Sequence, residues 1–126
     1  MYLKHVIYRK IISPKNKSVI NYLHNRGIQN KQIEKYDIGV ISNNWKTTLL
    51  FPSYNEKNEL NYYVSKIFYK KDGKLITRYM YPKINRSKII PLESTINWKH
   101  SVTLTEGIFD AMKINHNSIP LLGCSL

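Results

Sequence analysis

The chain has 126 residues, enough for one domain or for one small domain with part of a second. An apolar fraction of 42% supports a core and argues against disorder throughout, while no apolar run approaches the roughly 18–20 residues that span a bilayer. A single cysteine, Cys124, excludes an internal disulfide and a multi-cysteine zinc site.

Residues 1–12 have mixed periodicity. They show no uninterrupted apolar stretch and no small-residue cleavage site, so no signal peptide is read; with the single cysteine, a reducing, cytoplasmic location is expected, with no membrane partner. Ser13-Pro14 is a helix start signal. Val19, Ile20, Tyr22 and Leu23 follow at helical spacing, and Arg26-Gly27 is a stop. A second short helix is expected from Asn30 as cap to Lys35, burying Ile28 and Ile33, so that residues 14–35 form a helical hairpin.

From Tyr36 the texture turns to strands. Asp37 to Ile41 is one candidate, Asn43-Asn44 a turn, and Thr47 to Phe51 a second strand stopped by Pro52. After a polar turn, Leu60 to Tyr69 is a long strand rich in Tyr, Val, Ile and Phe. Asp72-Gly73 is a hairpin turn, and Leu75 to Tyr81 returns. Residues 36–81 are therefore expected to form an antiparallel meander. Residues 82–100 are a connector without a clear period. Ser101 to Thr105, Ile108 to Asn115 and Ser118 to Leu122 then read as a βαβ unit with buried strands. The fold class is α+β: helical hairpin, meander, then the opening of an α/β unit.

The net charge is +12, from 20 Lys and Arg against 8 Asp and Glu. An AT-rich genome writes lysine wherever a surface permits it, so the total alone decides little. The distribution is more informative. Residues 1–35 carry eight basic residues against one acid, or +7, and residues 62–100 nine against two, again +7. Residues 36–61 and 101–126 are each −1, with two against three and one against two. Two basic blocks and a small acidic end suggest phosphate binding upstream and cation binding downstream.

The acidic end contains Leu104-Thr105-Glu106-Gly107-Ile108-Phe109-Asp110-Ala111. A strand read as buried ends in a carboxylate, a glycine is expected to permit a sharp entry into the helix, and a second carboxylate stands four residues after the first. Hard oxygen ligands at the carboxyl end of a parallel strand suit Mg²⁺ or Mn²⁺ and phosphoryl transfer. The plainer alternative is that Glu106 caps the helix and Asp110 is solvated. Four histidines, His5, His24, His100 and His116, show no ligand spacing. The strand tyrosines read first as core or rim packing, with base stacking as the alternative, Trp45 and Trp98 as packing anchors, and Cys124 as a small buried residue.

Glu106 to Ala111 followed by Ile119-Pro120-Leu121-Leu122-Gly123 resembles the first acidic motif and second strand of the Toprim domain, shared by bacterial-type DNA primases, topoisomerases and some nucleases. Tyr22-Leu23-His24-Asn25-Arg26-Gly27-Ile28, Tyr36-Asp37-Ile38-Gly39, Leu50-Phe51-Pro52 and Arg78-Tyr79-Met80-Tyr81-Pro82 resemble, in order, segments of the primase catalytic core. The likeness covers roughly residues 18–126 and is greatest to the phage branch. It implies an N-terminal basic subdomain over 1–95 and part of a Toprim domain over 96–126, acting in synthesis of RNA primers from NTPs on a single-stranded DNA template. It implies Glu106 as the metal-linked or general-base residue, Asp110 as its support, and Mg²⁺ or Mn²⁺ as cofactor. Lys66 and Arg78 match basic positions facing the family's cleft. Arg26 matches the R-G-I arginine, where a helix-terminal charge reads equally well, and Lys83 is a further candidate for nucleic-acid binding.

The departures shape the expectation. The family's D-x-D motif would follow Gly123 and does not occur before Leu126, no zinc ribbon precedes the core, and Tyr81 stands where the family has asparagine. Three readings stay open: truncation mid-domain, a split primase completed by a second chain, and a degenerate remnant. A replicative helicase is a further partner the resemblance implies. The competing functions are a non-catalytic single-stranded nucleic-acid-binding protein and a Toprim nuclease relative.

Overall fold

Val19, Tyr22 and Leu23 recur at the three- and four-residue spacing that gives a helix one apolar face. A computed structural model describes residues 17–42 and 46–123 and places α1 at Lys17–Asn25. The Ser13-Pro14 start, the Asn43-Asn44 turn, His5, Trp45 and Cys124 lie outside the described residues. Gly27, at φ +85°, ends α1. Its N–H reaches the His24 carbonyl at 3.0 Å, and the Ile28 N–H reaches Leu23 at 2.9 Å. That pair of bonds needs a left-handed residue between them, and it brings the fully buried Leu23 and Ile28 together.

The second helix, α2, is Asn30–Lys35. Asn30 is not its cap. Gln29 is, because Gln32 at the third helical position reaches back and accepts from the Gln29 N–H at 2.7 Å, forming a capping box.

Four antiparallel strands follow in the order β1 (Gly39–Ser42), β2 (Lys46–Tyr54), β3 (Leu60–Lys71), β4 (Lys74–Met80). The β3–β4 turn is Asp72-Gly73, both at positive φ (53° and 76°), as the twist of a two-residue hairpin requires. Pro52 does not stop β2, which runs on to Tyr54. Pairing with β1 ends at Leu50↔Gly39, so among the described residues no strand pairs with Pro52 on that side, and its missing N–H costs no ladder bond there.

Alternation sends Leu49 and Phe51 of β2, and Tyr62 and Val64 of β3, to one face of the sheet. There they join Leu23, Ile28 and Ile33 in a single core that also takes in Ile108, Phe109, Ala111 and Met112. The connector is held to this body by side chains. The buried Ser53 hydroxyl accepts from the Leu92 N–H at 2.7 Å. Asn117 accepts from the Asn97 N–H at 2.7 Å and donates to the Asn97 carbonyl at 2.8 Å. Trp98 is not a packing anchor; it is 58% exposed on this connector.

The chain closes with β5 (Thr103–Thr105), α3 (Ile108–Ile114) and β6 (Ser118–Pro120), β5 and β6 being parallel. β6 is buried as expected. β5 is not: Leu104 is 45% exposed, because β6 is the only strand paired with β5 among the described residues. Gln32 Nε2 donates to the Met112 carbonyl at 3.0 Å and Lys35 Nζ to the Asn115 carbonyl at 3.1 Å, so α2 fixes the carboxyl end of α3. Among the described residues no helix is long and apolar enough to cross a membrane.

Candidate active site

Glu106 follows β5 directly, and Asp110 lies in the first turn of α3. Both are exposed. The turn between them is pinned from the other strand. After β6, the Leu121 N–H donates to the Thr105 carbonyl at 2.7 Å and the Leu122 N–H to the Glu106 carbonyl at 3.0 Å. Gly107 has φ −120°, extended backbone that any residue adopts, so the expected conformational need for glycine is absent. A Cβ built there meets nothing within 4 Å, which leaves the space beside the carboxylates open.

That space is a cleft of about 320 Å³ whose walls include Arg26, Tyr79, Tyr81, Glu106 and Asp110. The cleft thus joins three separate parts of the chain: the end of α1, the end of β4 and the β5–α3 turn. Phe109 links them. It packs edge-on to Phe51 at 5.2 Å, and the Arg26 guanidinium lies over its ring at 4.1 Å from the centroid. Arg26 also donates to the Tyr22 hydroxyl at 3.0 Å. It is therefore a helix-terminal cation and a cleft residue at once.

Lys66 lies behind the cleft wall and is only 8% exposed. Its ammonium stands among four rings, at 4.7 Å from Tyr79, 5.4 Å from Phe109, 5.5 Å from Tyr22 and 5.9 Å from Phe68. The ring faces offset part of the desolvation of the buried charge. Arg78 and Lys83 are exposed and do not line the cleft. Arg78 pairs with Ile67 while its neighbour Tyr79 pairs with Lys66, so Arg78 points to the opposite face of the sheet from Lys66.

Two contributors stand outside the candidate site residues, and of these only Arg86 has no sequence signal of its own, since Tyr79 lies in the family-like segment Arg78 to Pro82. Arg86, in the unperiodic connector, donates to the Leu122 carbonyl at 2.8 Å and to the Tyr62 hydroxyl at 3.4 Å, tying the cleft's far wall to β3. Tyr79 faces the cleft because of strand register alone. Among the described residues no three of His, Cys, Asp or Glu come together. His24 instead bonds Asn30 at 2.8 Å. As hard oxygen donors on one open wall, Glu106 and Asp110 fit part of a Mg²⁺ or Mn²⁺ shell.

Comparison with known proteins agrees with this architecture. Residues 7–90 match the DNA primase catalytic core, N-terminal domain. Among solved structures, the E. coli primase catalytic core superposes with a TM-score of 0.70 at 13% identity, covering 95% of this chain and 52% of that one. A DNA primase domain from Pseudomonas aeruginosa gives 0.68 at 14%, covering 94% and 51%. A DnaG primase catalytic domain bound to ssDNA gives 0.68 at 14%, covering 95% and 53%. The chain thus spans about half the length of the solved structures it matches. A comparison with curated proteins gave no match. With its meander, its helical hairpin and two thirds of its sequence in agreement, the chain belongs to the family of the DNA primase catalytic core, N-terminal domain.

Proposed function

We propose that this chain contributes the template-holding part and the first acidic motif of a primase that copies single-stranded DNA into short RNA primers from NTPs. One observation carries the reading. Arg26, Tyr79 and Tyr81, all inside the primase-family segment, share a cleft with Glu106 and Asp110, which lie outside it. A site that joins cations and rings to carboxylates suits a nucleic acid and a metal-bound phosphate together. Residues 1–95 are read as the basic subdomain and 96–126 as the opening of a Toprim domain, on the motif resemblance and in its phage branch. A second chain or a replicative helicase is the protein partner this reading carries.

In this reading Glu106 holds Mg²⁺ or Mn²⁺ or accepts a proton, and Asp110 supports it. When bound, the metal supplies charge neutralisation at the phosphates. Arg26 presents a fixed cation to the strand. Lys83 reaches a phosphate farther along it, Arg78, on the opposite face of β4, meets the strand only where it passes around the sheet edge, and Lys66 acts from behind the wall by holding Tyr79. The test is paired titration. Mn²⁺ binding followed by electron paramagnetic resonance should weaken in Glu106→Gln, and single-stranded DNA binding followed by anisotropy should weaken in Arg26→Ala. Preference for duplex DNA, or Mn²⁺ binding indifferent to Glu106→Gln, would overturn the reading. Retained DNA binding with no Mn²⁺ binding would leave a non-catalytic binding protein.

A further inference from the structure

Tyr79 is the last residue but one of β4, and Tyr81 is the first residue after the strand. Their rings are nearly parallel, 22° between planes, with centroids 6.4 Å apart. They are 40% and 44% exposed, and both line the cleft that holds Glu106 and Asp110. Tyr79 is also held from behind. The Lys66 ammonium lies 4.7 Å from its centroid and donates to its hydroxyl at 3.4 Å, which fixes the ring before any ligand arrives.

We propose that Tyr79 and Tyr81 form a stacking platform for a base of single-stranded nucleic acid at the mouth of the cleft. Parallel exposed rings offer a base the one feature that every base shares, a π-face, so the platform is indifferent to sequence. The surroundings favour a strand over a free nucleotide. Among the described residues β4 is an edge of the sheet; Lys83 follows the platform two residues on, and Lys74 stands at the far, hairpin end of the same strand, so cations occur at both ends of a path along that edge. The proposal rests on the primase reading above and names the part of the strand, a base, that the cleft takes.

The test uses the full chain and oligothymidylate carrying one 2-aminopurine, whose fluorescence is quenched by stacking. The wild type should quench the probe. Tyr81→Ala should relieve the quenching and weaken binding about tenfold or more, with the slope of log K against log salt unchanged, because a ring and not a phosphate contact is lost. Tyr81→Phe keeps the ring and should behave as wild type, which separates stacking from the hydroxyl; circular dichroism of each variant checks the fold. Unchanged affinity and quenching in Tyr81→Ala would overturn the platform while leaving the primase reading in place. No binding of single-stranded DNA by any form at low salt would overturn both. Quenching of 2-aminopurine riboside triphosphate at lower concentration than the oligonucleotide would assign the platform to the nucleotide and overturn the strand assignment.

Discussion

Lys66 Nζ donates to the hydroxyl of Tyr79, its direct cross-strand partner, at 3.4 Å. A buried cation thereby props up a half-exposed ring. The strand position explains the pair. Lys66 faces the core between Val64 and Phe68, where an apolar residue would ordinarily stand, and the ring faces around it are what make the charge tolerable.

Lys66→Met should therefore separate stability from binding. Methionine fills much the same volume without a charge to desolvate, so the free energy of unfolding in urea should be unchanged or higher by about 1 kcal/mol. Affinity for single-stranded DNA should nevertheless fall several-fold, since Tyr79 loses its support. A loss of stability of about 2 kcal/mol or more would show that the cation, and not the shape of the side chain, holds the core together.

The buried amide of Gln32 joins two elements at once, accepting from the Gln29 N–H and donating to the Met112 carbonyl. Gln32→Leu removes both bonds and leaves the buried Met112 carbonyl without this partner, while the Gln29 N–H, on an exposed residue, can turn to water. The expected cost is about 1–3 kcal/mol, read as a lowered midpoint in urea. A change within experimental error would mean that α2 and α3 are held by apolar packing alone.

Much of the fold was legible in residue pattern because its elements are local. The Arg26-Gly27 stop, the Asp72-Gly73 hairpin and the helix after Glu106 each follow from a few neighbours. Errors arose where a partner decided the outcome. Pro52 sits inside a strand past the end of its pairing with β1, and Leu104 is exposed because β5 has one neighbour among the described residues. Glu106, Asp110 and Arg26 were readable as candidates, and the structure brings all three to one cleft. Arg78 matches the family's basic pattern alongside Lys66, yet the two-residue period of β4 turns it to the other face. Arg86 could not be read at all: its importance lies in a carbonyl 36 residues away.

Tyr36 gives a pH dependence. It is 4% exposed, and burial pushes its pKa above the ordinary value near 10, an effect only partly countered by a hydrogen bond with Ser118. The folded state therefore favours the neutral phenol. Its contribution is fully present below about pH 10 and is lost as pH rises through the raised folded value, because the unfolded chain ionises first. Urea midpoints between pH 8 and 11 should fall less steeply in Tyr36→Phe than in wild type. Equal slopes would show that Tyr36 opens to solvent before it ionises.

Residues 1–126 alone should make no primers with Mg²⁺ or Mn²⁺ and all four NTPs. Mg²⁺ demands six oxygens in near-octahedral array, and the cleft brings it Glu106 and Asp110, with water left to complete the shell. Such an ion is weakly held and easily displaced. Stabilising both the attacking hydroxyl and the leaving pyrophosphate takes two metals and more carboxylates than these, and no three such ligands gather among the described residues. Mn²⁺ should accordingly bind in the millimolar range and be lost in Glu106→Gln. Where a second polypeptide supplies further carboxylates, mixing should yield primers from a single-stranded template, and Glu106→Gln should abolish them. Primer synthesis by the isolated chain, or a complemented mixture indifferent to Glu106→Gln, would show that the reacting phosphate is held somewhere other than this cleft.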